Sequence, residues 1–205
     1  MTTQESYKIY VLLTRTGTKV SKLINKATKA PVTHSSLCVD PHLTEFYSFG
    51  RYHPRFVLPG GFVKETLSSG VFGNCPNAPC VLLEARVSKE GYWAARELID
   101  RFAKNKLRYD VLGFFYNYYG MKRDVPDKYI CSRFVAQTLA LSDAIIPKKH
   151  ASLYQPVDFL DHEELSCVFK GTIKELQEQL LQGTLPLREQ SFSCHEHEQT
   201  ERIAL

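Results

Sequence analysis

The sequence has no long hydrophobic run, because Asp, Glu, Lys or Arg interrupts every apolar segment before it could cross a bilayer. The opening residues, MTTQESYKIYVLL, also lack the basic region and the long apolar segment of an export signal. These two absences predict a soluble, cytoplasmic protein that does not act at a membrane.

The chain also lacks a strong charge of one sign. Its 26 basic and 22 acidic residues give a net charge of +4 and are spread along the whole length, with no basic arm or block. Proteins that follow the phosphates of nucleic acids concentrate their basic residues. The charge pattern therefore predicts no nucleic-acid partner.

Cysteine is present, but not in the patterns that bind metals. Cys75 and Cys80 are five residues apart, a spacing unlike that of a zinc knuckle, and no second pair lies at a compatible distance. The group Cys194-His195-Glu196-His197 falls in a short polar tail, where metal binding is usually adventitious. We expect no metal and no cofactor. Without an export signal the six cysteines stay reduced, which leaves a thiol available for chemistry.

Length and composition indicate one domain. With 205 residues and 43% hydrophobic content, the chain can bury a core without disulfides or metals. The end of the chain is polar and shows no sustained hydrophobic period. We expect a single catalytic domain over residues 1–187 and a flexible polar tail over residues 188–205.

Hydrophobic periodicity predicts strands and helices in a mixed order, which indicates an α+β fold. Strands are predicted at 7–14, 33–39, 44–49, 80–87 and 166–172, and helices at 20–30, 92–104, 111–119, 129–141 and 173–181. The strands at 33–39 and 44–49 are predicted to form a hairpin, and residues 50–79, rich in Gly, Pro and Asn, are predicted to be mainly loop. The aromatic residues 114–119 could form a substrate platform, but core packing is the favoured interpretation.

Cys131 is the candidate nucleophile. It lies in the first turn of the predicted helix 129–141, on the same side as the apolar residues Phe134 and Val135. The unpaired amides and the dipole at a helix N-terminus stabilise a thiolate. His34, in a strand between Thr33 and two serines, is the best candidate for the base that a cysteine nucleophile needs.

A third residue should orient the histidine. Glu45 and Tyr47 lie on the same face of the neighbouring predicted strand, and either could serve. Glu45 is preferred, because a carboxylate that accepts a hydrogen bond from imidazole fixes its tautomer and stabilises the imidazolium. The register of the hairpin cannot be read from sequence, so both residues remain open.

Five segments in a fixed order resemble the circularly permuted papain-like hydrolases. These relatives of the NlpC-type cell-wall amidases, in which histidine precedes cysteine, include the YiiX/YaeF-like proteins. The resemblance covers about residues 5–165 and rests on THSSL (33–37), LTEFYSFGR (43–51), PGGF (59–62), YD (109–110) and YICSRFV (129–135).

The resemblance implies a small antiparallel sheet that carries the histidine and packs against the helix that presents the cysteine. By motif position it assigns Cys131 as nucleophile, His34 as base and Glu45 as the orienting residue. The implied reaction is hydrolysis of a small amide or peptide through an acyl-enzyme. We predict Tyr109 as an oxyanion donor and Arg51 as a clamp for a substrate carboxylate.

Two other functions remain open at this stage. A lipid acyltransferase or thioesterase would use the same thiol, but the lecithin-retinol acyltransferase branch carries Asn-Cys-Glu-His-Phe where this chain has Ile-Cys-Ser-Arg-Phe at 130–134. A binding module without catalysis would retain the fold and use the cleft between sheet and helix. The distance between the sulfur of Cys131 and the ring of His34 separates catalysis from binding.

Overall fold

The structure is a computed structural model that describes residues 7–15, 30–52 and 59–187. In these ranges the strands are β1 Tyr7–Thr14, β2 His34–Cys38, β3 Phe46–Arg51, β4 Gly60–Glu65, β5 Pro79–Val87, β6 Arg108–Tyr109, β7 Lys128–Tyr129 and β8 Ser166–Thr172. The α-helices are α1 Gly70–Gly73, α2 Lys89–Lys104, α3 Val111–Tyr118, α4 Cys131–Leu141 and α5 Ile173–Leu181, and two short 3-10 helices span Ala151–Leu153 and Pro156–Asp161. The protein is therefore α+β, as predicted.

All eight of these strands belong to one open sheet, in the order β7-β6-β4-β3-β2-β1-β5-β8. Neighbours are antiparallel except β6 and β7, which run parallel. The expectation of a small antiparallel sheet is thus wrong in both size and type. Two-residue strands such as β6 and β7 carry too few side chains to produce a detectable alternation.

The sheet has an apolar core on each face. Along β1, Ile9, Val11 and Leu13 contribute to the larger core, with residues of α2 and α4. The alternate residues Tyr10 and Leu12 contribute to a second core that includes residues of α5. Because successive side chains of a strand point to opposite faces, a central strand covered on both faces is apolar throughout. The eight residues of β1 are accordingly all buried.

The hairpin of β2 and β3 is confirmed: the two strands are antiparallel, with Leu37 opposite Tyr47. The apolar stripe of α4 is also confirmed, since Phe134, Val135, Thr138 and Leu139 are all buried. The predicted helix at 20–30 and the tail from residue 188 fall in parts of the chain that the structure does not describe, apart from residue 30.

The segment 50–79 is more ordered than predicted, because it contains β4 and α1. The residues at the start of β4, Pro59-Gly60-Gly61, are typical of a turn in sequence. Gly60 and Gly61 nevertheless pair with Arg51 and Gly50 of β3. A β-carbon at Gly60 would lie 2.6 Å from the carbonyl oxygen of Gly50, so the strand needs glycine at this position.

The prediction that the aromatic residues of α3 pack in the core is wrong. Phe115, Tyr116, Tyr118 and Tyr119 are exposed, and Phe114 is half-buried. The buried residues of this helix are Gly113 and Asn117. Within the described ranges, no helix is both long and apolar enough to cross a membrane.

Candidate active site

Cys131 is the first residue of α4 and is largely buried, with 8% of its surface exposed. Ile130 before it is extended, with φ −105° and ψ 162°, so the helix begins abruptly at the cysteine. The backbone amides of the first helical turn have no intrahelical acceptor, and they give this end of the helix a partial positive charge. The position of Cys131 therefore favours a thiolate.

His34 is the first residue of β2, and α4 packs on that strand. His34 lies close enough to the thiol of Cys131 for each residue to shift the pKa of the other. The Nε2 atom faces Glu65 and Ser36, which leaves Nδ1 for the sulfur. The structure thus brings together the two residues predicted as nucleophile and base.

Glu65, the last residue of β4, is the carboxylate next to His34. Its Oε1 and Oε2 atoms lie 3.1 and 3.2 Å from His34 Nε2. The hydroxyl of Ser36 donates to Glu65 Oε2 at 2.5 Å and lies 3.2 Å from the same nitrogen. The side chains of His34 and Glu65 are only 18% and 13% exposed, so water screens their interaction weakly. This contact fixes the orientation of the imidazole.

His34 and Cys131 each favour the charged form of the other. Burial lowers the pKa of His34, but the negative charge of Glu65 and hydrogen bonds from the ring to Cys131 and Glu65 raise it well above its usual value. Burial raises the pKa of the Cys131 thiol, but the hydrogen bond and positive charge of His34, with hydrogen bonds from Ser35, bring it below its usual value. Both shifts favour the thiolate-imidazolium form over the neutral pair.

Ser35 lies near the sulfur, and its backbone amide and hydroxyl both lower the pKa of Cys131. The hydroxyl is fully buried and has no hydrogen-bond partner of ordinary length among the described residues. The Ser48 hydroxyl donates to the Ser35 carbonyl at 2.7 Å, which ties this part of β2 to β3. A buried hydroxyl without another partner is available to a charged sulfur.

The structure does not place Glu45 next to His34. Glu45 lies just before β3 and accepts hydrogen bonds from Tyr47 and Lys64, each at 2.7 Å. Its side chain is 38% exposed, and its pKa is lowered first by the hydrogen bond from Lys64. Tyr47, the other residue considered, is therefore also directed to Glu45. The predicted orienting residue differs from the observed one because hairpin register, not face alternation alone, decides which side chains meet.

Tyr109 lies near Cys131, and both residues line one pocket. The parallel pairing of β6 with β7 sets Tyr109 beside Tyr129, two residues before the cysteine. Burial and the charge of Cys131 raise the pKa of the Tyr109 phenol, which keeps its proton as a donor. Arg51 ends β3 opposite Gly60, and its positive charge partly offsets this rise in the pKa of Tyr109. Of the two predicted substrate contacts, Tyr109 therefore lies close to the cysteine and Arg51 lies near Tyr109.

The other cysteines of the described ranges are also free thiols. Burial raises the pKa of Cys38 strongly and that of Cys80 to about 12. These two thiols remain protonated and act as small apolar side chains. In the part of the chain that the structure describes, no group of three or more His, Cys, Asp or Glu residues could hold a metal ion.

The sequence contained little that pointed to Glu65 or to Ser36. Glu65 follows a segment that reads as a turn and is separated from His34 by 31 positions, so no local pattern connects them. In the sequence, Ser36 is one of the two serines that make the surroundings of His34 polar. Alternation in β2 places Ser36 on the same face as His34, and this alternation is the one sequence signal for Ser36.

Comparison of the chain with protein-family models, curated proteins and solved structures finds no match in any of the three.

Proposed function

We propose that this protein is a cysteine hydrolase that cleaves an amide bond through Cys131 and His34. The observation that carries the proposal is the placement of Cys131, at the start of α4, beside His34 of β2, where the pKa of the thiol is lowered and that of the imidazole is raised. A structural cysteine in an apolar setting has a raised pKa, as Cys38 and Cys80 do. Shifts that hold charge on both members of a buried pair are typical of functional sites.

We further propose that the fold is a circularly permuted papain-like fold. Three features support this: the histidine precedes the cysteine in the chain, the histidine is carried by a strand of the sheet, and the cysteine begins the helix that packs on that strand. The proposal rests on this arrangement together with the motif resemblance. The catalytic unit would occupy residues 1–187.

In the proposed reaction the Cys131 thiolate attacks the amide carbonyl and forms a tetrahedral intermediate. The backbone amide of Cys131, at the first position of α4, is one donor for the oxyanion. Tyr109, with its phenol protonated beside the sulfur, is the second. The intermediate collapses to a thioester as the imidazolium of His34 gives its proton to the departing amine.

A water molecule then hydrolyses the thioester. Neutral His34 takes a proton from the water as it attacks, and the thiolate leaves, which restores the ion pair. Glu65 stabilises the imidazolium at both stages and holds the ring in the tautomer that presents Nδ1 to the sulfur. Arg51 would contact a carboxylate or another polar group of the substrate from the end of β3. The reaction needs no cofactor.

Hydrolysis of a library of small amides and peptides by the wild-type protein and Cys131→Ala tests the proposal. We expect turnover of at least one class of amide and a loss of about 10⁴-fold or more in the variant, since the nucleophile is removed. Cys167→Ala is the matched control, because that thiol is exposed. Turnover that survives in Cys131→Ala would contradict the proposal.

Alkylation by iodoacetamide gives a test that needs no substrate. Cys131 should react faster than Cys38 and Cys80, which burial keeps protonated. Its advantage over the exposed Cys167 should grow below neutral pH, where an ordinary thiol loses about tenfold of its thiolate per pH unit. Equal labelling of all the cysteines at every pH would count against a reactive Cys131.

A further inference from the structure

A pocket opens beside the sulfur of Cys131. Its walls come from the residues on either side of the cysteine, Ile130 and Ser132, from α3, and from the 3-10 helix Pro156–Asp161. Cys131 is itself one of the lining residues. A group bonded to its sulfur, such as the acyl part of a thioester, therefore lies within or at the mouth of this pocket.

Apart from the thiol of Cys131, the lining carries no charged side chain. None of the 13 described residues that form it is Asp, Glu, Lys or Arg. The apolar surface is supplied by Val32, Phe114, Tyr118, Ile130, Pro156 and Val157. A charged side chain bound here would lose its water without gaining an opposite charge from these residues.

Two polar side chains of the lining, Asn117 and Ser132, donate their hydrogen bonds to the protein itself. Asn117 donates to the carbonyl oxygens of Ser152 and Tyr154, at 2.8 and 3.0 Å. Ser132 donates to the same Tyr154 carbonyl at 2.5 Å. These bonds hold the floor in place and leave the donors of Asn117 and Ser132 directed away from a ligand.

The buried carboxylate next to the lining residue Tyr109 is paired with a positive charge. Asp110 follows Tyr109 in the chain and is buried, but its Oδ2 atom lies 3.0 Å from Arg123 Nε. The pair directs its charges at each other, so Asp110 does not offer a counter-charge to a cationic ligand. Neither the lining residues other than Cys131 nor Asp110 therefore offer a counter-charge to a charged acyl side chain.

We propose that this pocket holds the acyl side chain of the substrate, and that this side chain is apolar and uncharged. The inference rests on the proposed function and defines its substrate class: amides whose acyl part carries an aliphatic or aromatic group rather than an acidic or basic one. Each methylene moved from water into such a pocket favours binding about fourfold. Burial of an unpaired charge disfavours it by about a hundredfold or more.

N-acetyl aminoacyl chloromethyl ketones test the proposal on the protein as it is. The thiolate sulfur displaces chloride and forms a thioether, so the reaction needs no turnover. We expect the Leu reagent to alkylate Cys131 at least about tenfold faster than the Gly reagent, and the Glu and Lys reagents no faster than Gly. Each rate is divided by the rate with free cysteine to remove differences in intrinsic reactivity.

The outcomes separate the two proposals. If every reagent and iodoacetamide alkylate Cys131 no faster than Cys38, the proposed function fails. If Cys131 reacts rapidly but shows no preference among the Leu, Gly, Glu and Lys reagents, the function stands and the apolar pocket is refuted. A preference for the Glu or Lys reagent would also overturn the inference.

Two substitutions on the same 3-10 helix give a matched comparison. Val157→Asp places a carboxylate in the pocket, whereas Leu160→Asp places it at a residue that is 40% exposed and outside the lining. Val157→Asp should abolish the preference for Leu over Gly and speed the Lys reagent, and Leu160→Asp should change neither. Retention of the Leu preference in folded Val157→Asp would contradict the proposal. If that variant fails to fold, the wild-type series still decides.

Discussion

Replacing Glu65 by Gln removes the negative charge next to His34 and keeps the size of the side chain. The carboxylate oxygens lie 3.1 and 3.2 Å from His34 Nε2, and both side chains are mostly buried. An opposite charge at such range changes a pKa by about 1 to 3 units, which corresponds to about 1.4 to 4 kcal/mol. We therefore expect the pKa of His34 to fall by about 1 to 3 units in Glu65→Gln.

The lower pKa of His34 in Glu65→Gln also affects the ionisation of the Cys131 thiol. The equilibrium between the neutral pair and the thiolate-imidazolium pair shifts toward the neutral pair by the same factor, about 10- to 1,000-fold. The wild-type ion pair persists from the lowered pKa of Cys131 up to the raised pKa of His34, and Glu65→Gln should lower the upper limit of this range. Alkylation and hydrolysis should both slow by about tenfold or more at the pH values where the neutral pair becomes the major form.

The assay is the pH dependence of Cys131 alkylation by iodoacetamide, followed by mass analysis of the peptide that contains Cys131. Glu45→Gln is the matched control, because Glu45 is bonded to Lys64 and Tyr47 rather than to His34. We expect its profile to coincide with that of the wild type. If the pH profile of alkylation shifts in Glu45→Gln and does not shift in Glu65→Gln, the assignment of Glu65 is refuted. Glu45, the residue predicted from sequence, would then be the orienting residue.

Two further substitutions test the surroundings of the site and the core. Ser35→Ala removes a buried hydroxyl that lowers the pKa of Cys131, so this pKa should rise by about 1 to 2 units in the alkylation profile; an unchanged profile in a folded variant would show that the hydroxyl does not stabilise the thiolate. Lys8 and Glu84 form a buried ion pair at 2.9 Å. In urea unfolding, Lys8→Ala should cost about 3 to 5 kcal/mol and the double variant Lys8→Met, Glu84→Leu much less, because only the first leaves buried Glu84 without its close partner, with the mostly exposed Arg86 3.9 Å away; equal losses would contradict this reasoning.

Elements with a strong apolar pattern could be predicted from sequence. The bounds of β1, β8 and α5 agree with the prediction at both ends. In α4 the apolar stripe fixed which side faces the sheet, so Cys131 could be placed inward at the first turn. His34 could be identified because its strand is polar where a core strand would be apolar.

The third member of the site could not be predicted, because it depends on strand pairing across the sheet. Glu65 meets His34 only after β4 pairs with β3 and β3 with β2. Glu45, close to His34 in sequence, is bonded instead to Lys64 of β4. The aromatic run 114–119 also predicted burial wrongly. Four of its five aromatic residues are exposed, because an aromatic side chain does not by itself determine which face of a helix packs against the core.

The ultraviolet absorbance of the thiolate, titrated in the wild type, in Cys131→Ser and in His34→Ala, tests the central claim most directly. The difference between wild type and Cys131→Ser should show a thiolate at neutral pH, with a midpoint below the usual cysteine pKa of about 8.5. In His34→Ala that midpoint should move above the usual value, since burial then acts without the imidazolium. A wild-type midpoint at or above the usual value, or one that does not change in His34→Ala, would contradict a catalytic Cys131–His34 pair.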